Sequence, residues 1–307
     1  MELNQHFFNK NGMAIIALSK EFLKVQRGVK IPTVTDFCQQ LLVARGTIQN
    51  SLKALQNEGA IVLESRGHLG TFLIEKDIRK LSAFACIHSL VGCMPLPYSK
   101  KYEGFASGLI VAMENEYNIP VSMAYMRGAK NRIAMLIAGR YDYAIVSRFA
   151  AHRSIRERAG IEIVKSFGAF SYLSEHVIIF HDAKIKTIQD GMKVGVDSDS
   201  IDQKRLTELV CEGKNVEFVQ VEYSKILQMV MNGKIDAAIW NKDEITDKFV
   251  KVNFTSVEMK EKEDTEAVIV VHASKLEIKA LLNEIIDTQT VLDIQKMVLD
   301  GKITPSY

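Results

Sequence analysis

Residues 132–147, RIAMLIAGRYDYAIVS, return 94 positions later as ILQMVMNGKIDAAIWN, residues 226–241. Met135, Gly139, Asp142, Ala144 and Ile145 recur as Met229, Gly233, Asp236, Ala238 and Ile239, and Arg140 is matched by Lys234. Each copy reads as an amphipathic helix, a glycine that ends it, a short turn, an aspartate and an apolar strand. Glycine, basic residue and aspartate coincide in one register, which predicts duplicated lobes. Around the repeat, short apolar runs at 84–88, 120–126, 143–146, 176–180, 193–196, 216–221, 237–240 and 267–272 read as strands, with amphipathic helices such as 102–117 between several of them. That alternation predicts an α/β architecture of parallel sheets covered by helices.

The chain has 307 residues, enough for two or three domains, and the repeat occupies only its back part. Hydrophobic residues make up 47% and charged residues 25%, the balance of a soluble globular protein. A net charge of +2 is too small to make the whole molecule a polyanion binder. The first 76 residues hold nine Lys/Arg against six Asp/Glu, and the remainder 30 against 31, so the basic excess sits in front.

That front segment reads as three helices and a hairpin. Residues 13–25 form an apolar stripe at helical spacing (Ile15, Ile16, Leu18, Phe22, Leu23), ended by Gly28. Thr33 or Thr35 caps a second helix with Phe37, Leu41 and Leu42 on its buried side. After a turn at 43–46, a third helix over 47–58 buries Ile48, Leu52 and Leu55 and leaves Thr47, Gln49, Asn50 and Lys53 outside. Gly59 closes it; strands at 61–64 and 71–74 flank a turn at 66–70. This is the layout of a winged helix-turn-helix, expected over 1–76. Its third helix suits a major groove, helix N-termini suit phosphates, and Arg45, Arg66 and His68 can reach bases or backbone. A small helical domain that only dimerises would share the periodicity.

The run from Pro32 to Phe72 resembles the GntR-type winged-helix domain, with Val43, Arg45, Thr47, Leu52, Leu55, Gly59, Ile61, Gly70, Thr71 and Phe72 on matching positions. The resemblance implies double-stranded operator DNA as a partner and Thr33, Arg45, Thr47, Gln49 and the wing around His68 and Gly70 as contacts; Asn50 and Arg66 join them on the residue reading. Ala44, Gly46, Leu42 and Gln49 depart from the family's Ser, Thr or Ser, Gly and Arg.

The doubled helix-Gly-basic-x-Asp-x-Ala-Ile unit resembles the type 2 periplasmic-binding-protein fold, once per lobe. Residues 186–198 resemble the start of its second lobe, and 167–180 and 266–272 its two crossings between lobes. The resemblance implies an effector domain over 77–307, with lobe 1 at about 82–168 plus a C-terminal return and lobe 2 at about 182–265. The two halves together resemble the YhfZ family of regulators. Ligands in open α/β sheets bind beyond the carboxyl ends of strands. Those ends supply Ser89, Gly92, Tyr98, Arg127, Gly128, Ser147 and Arg148 in the first lobe. The second supplies Ser198 and Ser200 within 197–200, Tyr223, Trp240 and Asn241. Arg127 beside helix-end amides suits a carboxylate or phosphate, hence a small anionic effector. Ser200 is equally a plain helix cap, and Trp240 either stacks a ligand or fills the hinge wall.

Four scattered cysteines without a C-x-x-C pair argue against zinc and disulfides. Neither a signal peptide nor an apolar run near the ~20 residues of a membrane span is present, so a cytoplasmic protein is expected. G-x-S-x-G, H-E-x-x-H, Walker and G-x-G-x-x-G motifs are missing. His88 and Cys93 are the one conceivable imidazole–thiol pair, and a cysteine in apolar company is more often packing. The acidic, lysine-mixed run 258–266 reads as a solvated loop. The expectation is a homodimeric, cofactor-free, non-enzymatic regulator. Its rival is a binding module or enzyme on the same fold, with the front domain as an interaction arm.

Overall fold

The computed structural model describes residues 10–117, 119–248, 250–257 and 262–307. The chain divides into two compact units. One joins the chain up to Leu90 with 113–120 and 275–285; the other holds 91–112, 121–274 and 286–307.

In the first unit, α1 (Lys10–Lys24), α2 (Val34–Leu41) and α3 (Arg45–Asn57) close over Leu18, Phe22, Phe37, Ile48 and Leu55. The Phe22 and Phe37 rings lie 6.2 Å apart. Helix α2 starts where it does because Thr33 Oγ1 accepts the Asp36 N–H at 3.2 Å while Asp36 accepts the Thr33 N–H at 2.8 Å, a reciprocal capping box. It stops at Leu42, whose φ is +54° and whose side chain is 91% exposed. Leu42 was expected inside with Phe37. The left-handed cap that turns the chain into α3 swings it off the buried face.

Strands β1 (Ile61–Ser65) and β2 (Thr71–Lys76) form the hairpin, and residues 29–31 lie along β2 through Leu73 N–Val29 O (3.0 Å) and Ile31 N–Thr71 O (2.9 Å). Gly70 bends the tip at φ +104°, and a Cβ there would sit 2.5 Å from Lys30 Cε. Helix α4 (Ile78–Phe84) follows, capped by Asp77 on the Lys80 N–H at 3.0 Å. The strand expected at 84–88 does not form; β3 (Leu90–Met94) is the first strand of the second unit's sheets. The 84–88 run is apolar, but its first residue is spent in a helix that buries Ile78 and Leu81.

The second unit has two five-stranded sheets on one plan. The first runs β4 (Val121–Tyr125), β3, β5 (Tyr143–Ser147), β12 (Ala267–His272), β6 (Ile161–Ser166). The second runs β9 (Glu217–Gln220), β8 (Lys193–Val196), β10 (Ala237–Asn241), β7 (His176–Phe180), β11 (Asn253–Ser256). The central pairs β3–β5 and β8–β10 are parallel, whereas β12 and β7 run antiparallel to both neighbours. The sheets are therefore mixed, not parallel. Each takes one strand from a segment that has crossed from the other lobe, and β6 and β11, unrecognised in the sequence, complete the edges. Helices α5 (Lys100–Tyr117), α6 (Ala129–Ile137), α7 (Arg148–Arg156), α8 (Ile201–Val210), α9 (Tyr223–Met231) and α10 (Lys242–Asp247) connect the strands.

The repeat's two copies are α6–β5 and α9–β10, in equivalent places of different sheets. Gly139 and Gly233 take φ +70° and +65° as helix caps. The aspartates have one task. Asp142 exchanges two hydrogen bonds with Val91, its carboxylate accepting the N–H at 2.8 Å, and Asp236 does the same with Lys193 at 2.7 Å. Each aspartate thus clamps the start of the neighbouring parallel strand. Ser147 and Asn241 close each unit by capping α7 and α10.

The two crossings are bonded to each other. Tyr172 N meets Thr265 O at 2.8 Å, Ala267 N meets Ser171 Oγ at 2.9 Å, and His176 Nδ1 lies 2.7 Å from Asp264. Asp264, Thr265 and Glu266 are buried, so this end of the acidic run is hinge and not solvated loop; residues 258–261 lie outside the described residues. Beyond β12 the chain returns to the first unit as α11 (Leu276–Ile285), where Glu284 meets Lys76 at 2.7 Å and Arg27 at 2.9 Å. It ends in the second unit with α12 (Thr288–Leu299). No helix among the described residues is long and apolar enough to cross a membrane.

Candidate functional site

The carboxyl ends of β3, β4, β8 and β10 converge on a cleft between the two sheets, enclosing a cavity of about 70 Å³. Its walls are aromatic: Tyr98, Tyr102, Tyr172 and Tyr223. The Tyr102 and Tyr172 rings meet edge-on at 5.2 Å, and burial pushes all four phenols up, so they stay neutral. Charge crosses the cleft at Arg127. Its guanidinium donates to Asp197 at 2.7 Å and to Asp199 at 3.2 Å, tying a residue after β4 to two after β8. Gly128 completes this seam, since a Cβ on it would lie 2.8 Å from the Asp199 carbonyl oxygen.

Deeper in, two carboxyl groups and a second arginine face the cavity. Burial pushes Asp202 up to about 6 against the pull of the Ser147 hydroxyl, which donates to it at 2.6 Å. Burial likewise pushes Glu244 up to about 7 against Lys248 and the Tyr223 hydroxyl, which donates at 3.0 Å. Arg132, 2% exposed, donates to the carbonyls of Ile145 and Met126 and to the Tyr172 hydroxyl. His176 also lines the cavity, its other face held by Asp264.

Of the twelve strand-end candidates, Tyr98, Arg127, Gly128, Ser200 and Tyr223 line the cleft, while Gly92 lies within β3 and Asn241 caps α10. The others stand elsewhere. Ser89 is exposed ahead of β3, because that strand starts later than its apolar run suggested. Ser147 is fully buried between its cap on Ala150 and Asp202. Arg148 pairs with Glu266, and Ser198 accepts from Gln220. Trp240 is core. It stacks on Tyr223 at 4.2 Å, and Tyr223 takes the wall position. Tyr102, Arg132, Tyr172, His176, Asp202 and Glu244 escaped notice. Glu244 and Asp202 sit in the first turns of helices that follow strand ends, so extending the strand-end rule by one turn finds both. Tyr172 and His176 lie on a crossing, which no strand end predicts.

Cys93 is fully buried, with its thiol pushed up by desolvation, while His88 is exposed before β3. The imidazole–thiol pair is thus not assembled. Among the described residues no group of three or more His, Cys, Asp or Glu side chains is placed to hold a metal ion.

On the first unit, Gln49, Asn50 and Lys53 are exposed on α3, and Thr47 is half-buried. Arg45 opens that helix, exposed and in no ion pair among the described residues. Ala44 offers no capping side chain, so the first amides of α3 face outward without a side-chain partner. Thr33 spends its hydroxyl on Asp36. Arg66 is folded onto the hairpin, 2.7 Å from Glu64 and 4.5 Å over the Phe72 ring, while His68 and Leu69 are exposed beside Gly70 at the tip.

These features define a helix-turn-helix domain with a hairpin wing, followed by a two-lobed α/β domain of the periplasmic-binding-protein type. Residues 77–307 match the YhfZ C-terminal domain and 26–73 a helix-turn-helix domain. The chain belongs to the YhfZ family: it is 32% identical to the uncharacterized protein YhfZ of Escherichia coli (strain K12) over 99% of this chain and all of that one. The crystal structure of YhfZ from Shigella flexneri superposes with a TM-score of 0.62 at 33% identity, covering 75% of this chain and 98% of that one. The amino acid ABC transporter substrate-binding protein AbpA of Streptococcus pneumoniae, solved bound to L-arginine, shares the fold at 14% identity, with a TM-score of 0.52 and coverage of 72% and 97%.

Proposed function

We propose that this protein is a cytoplasmic transcription regulator that binds operator DNA through α3 and the wing, and senses a small anionic metabolite in the cleft. The observation that carries the reading is the pairing, in one chain, of an exposed polar helix with free N-terminal amides and a cleft already bridged between its lobes by Arg127, Asp197 and Asp199. An effector that enters must make contacts that differ between the bridged and parted lobes, because only differential affinity shifts such an equilibrium. A two-fold dimer on a palindromic site is the expected assembly, with Arg45, Thr47, Gln49 and Asn50 on base edges and His68 and Gly70 at the flanking groove. Arg66 reaches DNA only after leaving Glu64.

In vitro selection from random duplexes with the full chain, followed by fluorescence anisotropy, tests this. Arg45→Ala should weaken binding to the selected duplex by roughly five- to 150-fold, the 1–3 kcal/mol typical of one good contact. Failure of the unaltered protein to enrich any duplex would refute the DNA-binding reading.

A further inference from the structure

Arg132 is a buried cation without a counter-ion. Its three hydrogen-bond partners, Ile145 O at 3.0 Å, Met126 O at 2.8 Å and Tyr172 Oη at 3.0 Å, are all neutral, and none of the ion pairs among the described residues includes it. A guanidinium cannot shed its proton, and an unpaired buried charge is among the least favourable things a fold can hold. Asp202 acts on it through the field of the cleft, but that carboxyl takes the Ser147 hydroxyl. Arg127 is the opposite case, with two aspartates already on it.

Arg132 has five N–H donors and uses three, so one remains on each terminal nitrogen. Its position is set by backbone carbonyls just past the end of β4 and in the middle of β5, a rigid mount for a planar fork. We propose that Arg132, not Arg127, receives the anionic group of the effector, and that this group is the carboxylate of a small monoanion whose carbon skeleton packs against Tyr102 and Tyr172. Arg127 is then the latch between the lobes. A single negative charge is selected because Asp202 and Glu244, where ionised, share the cleft and disfavour a second negative charge beside them. The cavity of about 70 Å³ selects a compact molecule. This inference rests on the cleft being the effector site.

The test uses the full chain in calorimetry and thermal shift. Monocarboxylates from acetate to hexanoate, with their 2-hydroxy, 2-oxo and 2-amino forms, are compared with the matching amides and inorganic phosphate. A carboxylate should bind where its amide and phosphate do not. Arg132→Gln should weaken that carboxylate at least tenfold and Arg127→Gln less than threefold. Because Arg132→Gln can fail to fold, crystals of the unaltered protein soaked in propionate give a second reading, with the carboxylate expected on the Arg132 terminal nitrogens. A carboxylate found on Arg127, or binding lost only in Arg127→Gln, overturns the assignment and leaves the anionic-effector reading standing. Preference for phosphate overturns the ligand class. Absence of binding by any oxyanion overturns both.

Discussion

Replacing Glu284 by glutamine keeps the shape of α11 and removes the carboxylate that faces a buried ammonium. The Lys76 side chain is 4% exposed; its Nζ lies 2.7 Å from Glu284 and 3.0 Å from the Leu23 carbonyl. Removing one partner of a buried ion pair costs about 3–5 kcal/mol, because the other charge is left uncompensated. Here the Leu23 carbonyl remains and the Glu284 side chain is 20% exposed, so the loss should lie nearer 2–3 kcal/mol. The second pair, to the half-exposed Arg27, adds about 0–1 kcal/mol. Urea unfolding of the full chain, with amide exchange followed in α1, β2 and α11, measures the effect. The double variant Lys76→Met, Glu284→Leu should recover most of it, since no charge is then left buried. If Glu284→Gln unfolds within about 0.5 kcal/mol of the parent, the range of ordinary surface changes, the ammonium does not depend on Glu284 and the reasoning fails.

Leu42→Gly should stabilise the first unit by roughly 0.5–1 kcal/mol. Leucine in the left-handed region costs about 1–2 kcal/mol, glycine's looser unfolded chain returns part of that, and a side chain 91% exposed loses no packing. A lowered denaturant midpoint would contradict this. Asp202 gives a pH signature. Its folded value of about 6 lies above the ordinary 3.8, so the folded state binds the extra proton between them. The stability it contributes is therefore full below about pH 4 and lost as pH rises through about 6, a span of up to about 3 kcal/mol at 1.4 per unit. Glu244, pushed up to about 7, extends the decline. Asp202→Asn should raise Tm at about pH 8 and leave it unchanged at about pH 4; an equal change at both would show that protonation is not what burial controls there.

Local chemistry made much of this protein legible before any coordinates. The threonine cap at 33 or 35, the glycine caps at 139 and 233 and the apolar strands at 143–146 and 237–240 depend on neighbours within a few residues. The repeat even marked Asp142 and Asp236, although what they clamp lies 51 and 43 positions away. Sequence failed first where two apolar runs lay side by side. Residues 84–88 and 90–94 look alike, and the helix capped at Asp77 decides which becomes the strand, taking Ser89 and His88 out of the cleft with it. It failed again where partners meet only in space. Strand-end reasoning put Arg127 at a cleft but not in an ion pair, since nothing near residue 127 announces Asp197 and Asp199. Trp240 and Tyr223 were both candidates, and only their stacking order decides which one forms the wall.

From the chain alone came the wing and its reading helix, the two lobes and the strand ends that face each other, because caps, periods and repeats are written in short-range chemistry. Only the folded molecule decided that β7 and β12 cross between lobes and run antiparallel, that α11 returns to the first unit to meet Lys76, and which arginine is neutralised and which is left bare. Those outcomes depend on burial and on distances between residues far apart in the chain, and a charge acquires its meaning from what surrounds it after folding.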